Sequence, residues 1–251
     1  MSKPKILLFD LETSPNILYS WRIGYNVNLN ASNLIEERKI IMSGYKWKGE
    51  KETHCVDWGL KAQDDVRVLK RMAKEINKAD LLVGHNIDGF DMKWLRGRVI
   101  QAGLPPLKPV KTLDTLKMAR KLGYFNSNRL DYLGEYFGLG RKLDTGGFQL
   151  WKDVLAGKKS ALNTMTKYCV QDVDLLEKVL NYLEPHILSE TATHIGDPRV
   201  CRNTQCNSTS YQRRGYTVAN TPKRILVCND CGTSRRIGKS QWRKYLPVDQ
   251  F

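Results

Sequence analysis

The chain reads as an α/β domain built on a mixed sheet flanked by helices, followed by a small metal-bound module. Three observations carry that reading. Short β-branched and aromatic runs crowd the first 60 residues; after them, short apolar runs alternate with segments of helical spacing. Strands that pair with sequence neighbours before βα crossovers begin give a mixed sheet. Near residue 195 the composition turns polar, basic and rich in turn residues. Residues 195–251 carry 11 Lys/Arg against 3 Asp/Glu, about half of the chain's net +15. Four of the six cysteines fall there, in two short-spaced pairs. The expected organisation is one domain over 1–194 and a second over 195–251, with Thr191–Pro198 as the linker.

The elements follow in order. Lys5–Asp10 is a short apolar run and reads as a strand. Ile17–Ile23, Ile40–Trp47 and Thr53–Trp58 are β-branched and aromatic, which predicts a meander of strands. Asp64–Asn77 has helical spacing through Val68, Leu69, Met72 and Ile76, with Asp64 and Asp65 at the end where the helix dipole favours acids. Leu81–Val83 is a brief buried strand. Phe90–Ala102 is a helix that stops at Gly103 and the Pro105-Pro106 pair. Val110–Leu113 is a further short strand. Helical segments follow at Leu116–Lys121, Leu130–Phe137, Leu150–Leu155 and Ala161–Leu183, the last ending before Pro185.

Composition bounds the function. A chain of 251 residues can bury a substantial core, and 41% hydrophobic residues mark it as globular rather than disordered. No run approaches the length of a transmembrane helix, so no membrane partner is expected. The N-terminal ILLF run is too short for a signal peptide and runs into the acidic FDLET, so an intracellular, cytoplasmic location is expected. The +15 charge favours a polyanionic partner, most simply nucleic acid; the alternative is a soluble basic protein.

Three motifs carry candidate chemistry. In FDLET, Asp10 and Glu12 stand two apart, so in a strand they share a face while Phe9 and Leu11 point the other way. Adjacent carboxylates repel unless a cation lies between them, and hard divalent cations take oxygen ligands. The alternative is a solvated strand end. In GHNIDGFDMKWL, Asp91 opens a helix, with Asp88 as a nearby competitor, and Asn86 either bonds a sugar or phosphate or makes an Asx turn. In YCVQD, Tyr168 and Asp172 are one helical turn apart and share a face; taken alone, such a pair is usually an exposed helix face.

Together, in this order and spacing, the motifs resemble the DEDD superfamily of 3′–5′ exonucleases. FDLET matches the first motif, GHN-x3-FD the second and Y-x3-D the third. The third is the Tyr-subtype pattern of proofreading domains; where the His subtype carries histidine, this chain has Lys167. The resemblance covers about residues 4–190, and TLDTL (112–116), RLDYLGEYFGLGRK (129–142) and YLEP (182–185) support it. It implies an RNase H-like fold with a mixed five-stranded sheet and two-metal hydrolysis of phosphodiesters at a free 3′ end, with DNA ahead of RNA as substrate. Asp10, Glu12 and Asp172 would hold one ion and Asp10, helped by Asp91, the second; Tyr168 would position or activate the nucleophile. Mg²⁺ or Mn²⁺ suits an all-oxygen set. Leu11 and Phe90 either wedge against terminal bases or pack in the core, and Tyr132 is a candidate for base stacking. A stand-alone domain of this kind implies proofreading in trans beside a polymerase, in a phage or mobile element. The competing classes are an exoribonuclease and a non-catalytic adaptor.

In the tail the spacing is Cys201-x4-Cys206-x21-Cys228-x2-Cys231-Gly232. Two short-spaced pairs about twenty residues apart fit one structural Zn²⁺ on two β-knuckles. Disulfides or free thiols are the alternatives, and His186 or His194 is a substitute ligand. The pattern resembles zinc ribbons attached to nucleic-acid proteins. Arg213, Arg214, Lys223, Arg224, Arg235, Arg236 and Lys239, with Tyr211, Tyr216 and Trp242 among them, form a candidate nucleic-acid surface; the alternative is a solvated basic face.

Overall fold

The computed structural model describes residues 4–24, 26–59, 61–141, 147–186, 200–201, 206, 208–216 and 224–237. The chain divides into two compact units, Lys5–Leu180 and Asn181–Phe251 with Met1–Pro4. The expected linker, Thr191–Pro198, and the boundary at 195 lie outside the described residues.

The first unit is a five-stranded mixed sheet with helices on both faces. Its strands are β1 (Ile6–Thr13), β4 (Ile40–Trp47), β5 (His54–Asp57), β6 (Leu81–Gly84) and β7 (Lys111–Asp114), in the order β5-β4-β1-β6-β7. β1 runs antiparallel to β4 and parallel to β6. The helices are α1 (Val66–Ile76), α2 (Asp91–Gln101), α3 (Thr115–Leu122), α4 (Leu130–Tyr136), α5 (Gln149–Leu155) and α6 (Lys159–Leu183).

The two faces of β1 have different tasks. Leu7, Phe9 and Leu11 enter one core with Val68, Leu69, Met72 and Ile76 of α1 and Met92, Leu95 and Val99 of α2. A second cluster joins Ile41 and Met42 of β4 to Leu150 and Val154 of α5 and to Ala161, Met165 and Cys169 of α6. Because successive strand residues alternate faces, Asp10 and Glu12 project away from the first core.

Contact between α6 and the sheet depends on Gly44, which stands opposite Asp10 in the β1–β4 ladder. A Cβ at residue 44 would lie 2.9 Å from the Cys169 carbonyl oxygen and 3.0 Å from Val173 Cγ2. The Gly44 N–H also donates to Cys169 Sγ at 3.0 Å. Further along, buried Lys46 bonds Asp174 and Glu177 of α6, each at 2.9 Å. Burial opposes its charge, but Glu177 and Asp174 outweigh that and hold its amine above the ordinary lysine range. Gly44→Val must therefore push α6 off β4. The expected loss is about 2–3 kcal/mol by overpacking, read from the urea midpoint, and an unchanged midpoint would refute the packing argument.

Two expectations are corrected. Ile17–Ile23 does not join the sheet. Ile40–Trp47 occupies one edge of β1 and β6 the other, so no ladder position remains. Only β2 (Ile17–Leu18) forms there, paired with β3 (Leu34–Glu36) in a separate ribbon. Asp65 does not act through the helix dipole. It accepts two hydrogen bonds from Arg98 of α2, at 2.7 and 3.0 Å, and one from Ile40 N at 3.1 Å. This buried ion pair joins both helices to β4.

In the second unit, β8 (Tyr211–Tyr216), β9 (Arg224–Cys228) and β10 (Ser234–Ile237) form an antiparallel sheet ordered β10-β9-β8. Leu226, Ile237, Cys201 and Cys228 are buried in it.

Candidate active site

The sheet brings the scattered acids together. Asp10 and Glu12 on β1 and Asp172 on α6 present carboxylate oxygens that all lie within 4.8 Å of one another. Asp172 is 1% exposed, whereas Asp10 and Glu12 are half-buried. Tyr168, half-buried, precedes Asp172 by one turn of α6. The all-oxygen donor set and the close approach of like charges fit a hard divalent cation.

Asp91 stands apart from this trio. It is the first residue of α2 and 2% exposed, and its Oδ1 accepts the Leu11 N–H at 3.1 Å. That bond ties α2 to the strand between the two catalytic candidates. Burial, then the charge of Asp10, pushes its carboxyl well above the usual range. A folded-state pKa above the unfolded one, about 3.9, stabilises the fold at low pH. That contribution is lost as pH rises through the folded value. A bound cation reverses the penalty, so saturating Mn²⁺ should raise Tm by about 5 °C or more at pH 8 and by clearly less at pH 5. Equal shifts at both pH values would contradict this.

The loop before α2 is fastened from three sides. His85 bonds Thr115 Oγ1 through Nδ1 at 2.9 Å and the Asn128 carbonyl through Nε2 at 2.8 Å. Asp114 Oδ1 accepts the Asn86 N–H at 2.9 Å and also caps α3. Asn86 takes a left-handed conformation (φ 65°) with its side chain exposed. A Cβ at Gly89 would meet Asn86 Oδ1 at 2.3 Å, so glycine makes room for that amide. Asp88, the competitor of Asp91, is held by Thr112 and Lys117 at 2.6 Å each. His85, Asp114 and Thr115 were not among the sequence candidates. Their signal lies in GHN, where the sequence reading singles out Asn86 alone, and in TLDTL, where it singles out no residue.

The flanking residues separate. Phe90 is half-buried and tilts against Trp94, with ring centroids 6.3 Å apart. Leu11 is 4% exposed and belongs to the first core. Tyr132 stacks on Tyr136 at 5.8 Å.

In the second unit, the four sulfurs of Cys201, Cys206, Cys228 and Cys231 lie within 4.8 Å of one another. The Cys201–Cys231 and Cys206–Cys228 separations are 3.4 and 3.8 Å. Disulfides need about 2.05 Å, whereas a tetrahedron with Zn–S of about 2.3 Å has edges of about 3.8 Å, so the donor set fits Zn²⁺. The Thr233 hydroxyl leads in pulling the Cys231 thiol down to about 6, towards the thiolate that zinc requires. Gly232 (φ 72°) closes the knuckle, donating to the Cys228 carbonyl at 3.0 Å. His186 ends the helical region, outside the set; His194 lies outside the described residues.

The arginines divide by strand alternation. Arg214 and Arg236 are exposed. Arg235 is a correction: it is 5% exposed, lies 4.9 Å over the Tyr211 ring and bonds the Val200 carbonyl. Both it and Tyr211 are thereby turned to internal packing. Lys223, Lys239, Trp242 and the side chains of Arg213 and Tyr216 lie outside the described residues.

Comparison with known proteins agrees with this architecture. The chain is 28% identical over 131 residues to the DNA polymerase III PolC-type of Ureaplasma parvum serovar 3 (strain ATCC 700970), covering 49% of this chain and 9% of that protein. The chain thus spans less than a tenth of that relative's length. The structure of the family B DNA polymerase from the hyperthermophilic archaeon Pyrobaculum calidifontis matches with a TM-score of 0.55 at 18% identity, covering 73% of this chain and 25% of that one; this likeness concerns the fold. No helix among the described residues is long and apolar enough to cross a membrane. The RNase_H superfamily model matches residues 32–184, a span that holds Asp91, Tyr168 and Asp172 and begins after Asp10 and Glu12. With the five-stranded mixed sheet and well over half of the chain inside that match, the chain belongs to the RNase H superfamily.

Proposed function

We propose that the chain is a metal-dependent 3′–5′ exonuclease of the Tyr subtype, acting on DNA. The observation that carries this reading is the convergence of Asp10, Glu12 and Asp172 within 4.8 Å, with Tyr168 one turn away on the same helix. The names of the relatives, both DNA polymerases, support the choice of DNA. Two Mg²⁺ or Mn²⁺ ions, held by Asp10, Glu12 and Asp172 with Asp91 assisting, would neutralise charge on the phosphate and lower the pKa of water. The chain's own residues supply the rest. The Tyr168 hydroxyl holds the attacking water in line and takes part in its proton transfer. Asp91, through the Leu11 N–H, keeps the acids of β1 at fixed spacing. The exposed Asn86 amide bonds the substrate's sugar or phosphate, and Phe90 flanks the terminal base. Leu11 supports that wall from the core.

Residues 195–251 are proposed as a zinc ribbon that follows, in sequence, an exonuclease domain of 1–194. Arg214 and Arg236 offer exposed cations to nucleic acid, and a polymerase is the natural protein partner. Digestion of 3′-labelled single-stranded DNA, duplex DNA and RNA with Mg²⁺ tests the substrate. Label should be released from DNA at least tenfold faster than from RNA. Faster release from RNA would favour an exoribonuclease, and no release from any of them would favour a binding adaptor.

A further inference from the structure

Residues 14–24 and 26–39 leave the sheet as an arm. Both legs are pinned at the end of β1 that carries the acids: Thr13 pairs with Ile40, and the Ser14 N–H donates to the Lys39 carbonyl at 2.8 Å. Beyond that root, the β2–β3 ribbon and a capped turn at Asn30 give the arm its own structure. Its side chains are exposed where apolar groups normally hide. Trp21 and Ile23 are fully exposed and Tyr19 is 77% exposed. Exposed apolar side chains gathered on one short segment mark a contact surface. From Ser14 to Ile35 the only charged residue is Arg22; the arm's acids, Glu36 and Glu37, sit at its root beside two further cations, Arg38 and Lys39.

At the root of the arm a groove of about 530 Å³ is lined by Asn16, Glu37 and Arg38 on one side and by Gly89, Lys93 and Trp94 on the other. α2, which begins at Asp91, forms that second wall. The Arg38 guanidinium lies over the Trp94 ring, 5.3 Å from its centroid. The groove lies at the root of the arm, where the chain leaves β1 just past Glu12, and its walls hold Arg38, Lys93 and Trp94 together with Glu37.

We propose that the arm and this groove hold the substrate strand upstream of the catalytic acids, with bases stacking on Trp21 and Tyr19 and phosphates meeting Arg22, Arg38 and Lys93. This rests on the exonuclease reading in taking a nucleic-acid strand as substrate. Exposed rings paired with cations suit single-stranded nucleic acid. A protein partner would leave unexplained why the arm is rooted at the end of β1 that carries the acids.

The test uses the full chain with zinc retained and labelled oligothymidylates of 4 and 16 nucleotides, without Mg²⁺ or Mn²⁺ so that nothing is cut. Anisotropy should show about 10- to 100-fold weaker binding of the 16-mer by Tyr19→Ala/Trp21→Ala, a loss of about 1.4–2.8 kcal/mol. Binding of the 4-mer should be unchanged, and Trp21→Phe should recover most of the affinity. With Mn²⁺ present, cleavage of an aryl ester of a mononucleotide, too short to reach the arm, should keep its wild-type rate. Wild-type affinity in the double variant overturns the proposal and makes the arm a protein contact. Equal losses for the 4-mer and the ester also overturn it, because they indicate a structural defect. A length-dependent loss without any cleavage by the wild type would keep the arm and refute the exonuclease.

Discussion

Asp172→Asn is expected to slow nucleotide release at least about a thousandfold, a loss of about 4 kcal/mol of transition-state stabilisation. The substitution keeps shape and volume in a side chain that is 1% exposed, so α6 should stay in place. It removes one of three charges gathered within 4.8 Å, so the metal-free variant should melt no lower than wild type, and its Mn²⁺-induced rise in Tm should shrink sharply. Those two readouts separate loss of chemistry from loss of fold. Activity within tenfold of wild type would show that the trio is an ordinary acidic cluster.

The second large effect concerns the cysteines. Removing zinc, or replacing Cys228 with Ser, should unfold the β8–β10 sheet, because structural zinc contributes about 10–16 kcal/mol to small domains. Among the described residues of this sheet, Leu226 and Ile237 are the buried apolar side chains besides the cysteines, and so small a core calls for a metal staple. Hydrogen exchange gives the measurement. Amides of β9 and β10 should lose protection on chelation, while those of β1, β4 and β6 keep theirs. Retained protection in the zinc-free unit would mean that the sulfur cluster does not hold it together.

The site residues were legible because their spacing is set by local geometry: two residues apart on a strand for Asp10 and Glu12, four apart on a helix for Tyr168 and Asp172. Ile40–Trp47 was legible too, since its β-branched and aromatic residues suit a strand, and seven of its eight residues are buried. Ile17–Ile23 has much the same composition and was misread. Its fate depended on competition for the edges of β1, which is decided by pairing across the sheet and not by propensity. Asp65 and Arg98 are 33 residues apart and look like surface charges until α1 and α2 pack together. Gly44 was invisible for a related reason, since a glycine in a strand shows its purpose only when α6 lies on it. Arg235 and Arg236 are adjacent and alike in sequence, and the phase of β10 alone buries one and exposes the other.

The most direct test of the central claim is a time course with 5′-labelled single-stranded DNA and Mn²⁺. If Asp10, Glu12 and Asp172 form an exonuclease centre, wild type yields a ladder shortening one nucleotide at a time from the 3′ end, and Asp10→Ala yields none. Labelled mononucleotide as the first product, internal cuts, or an equal ladder from Asp10→Ala would contradict it.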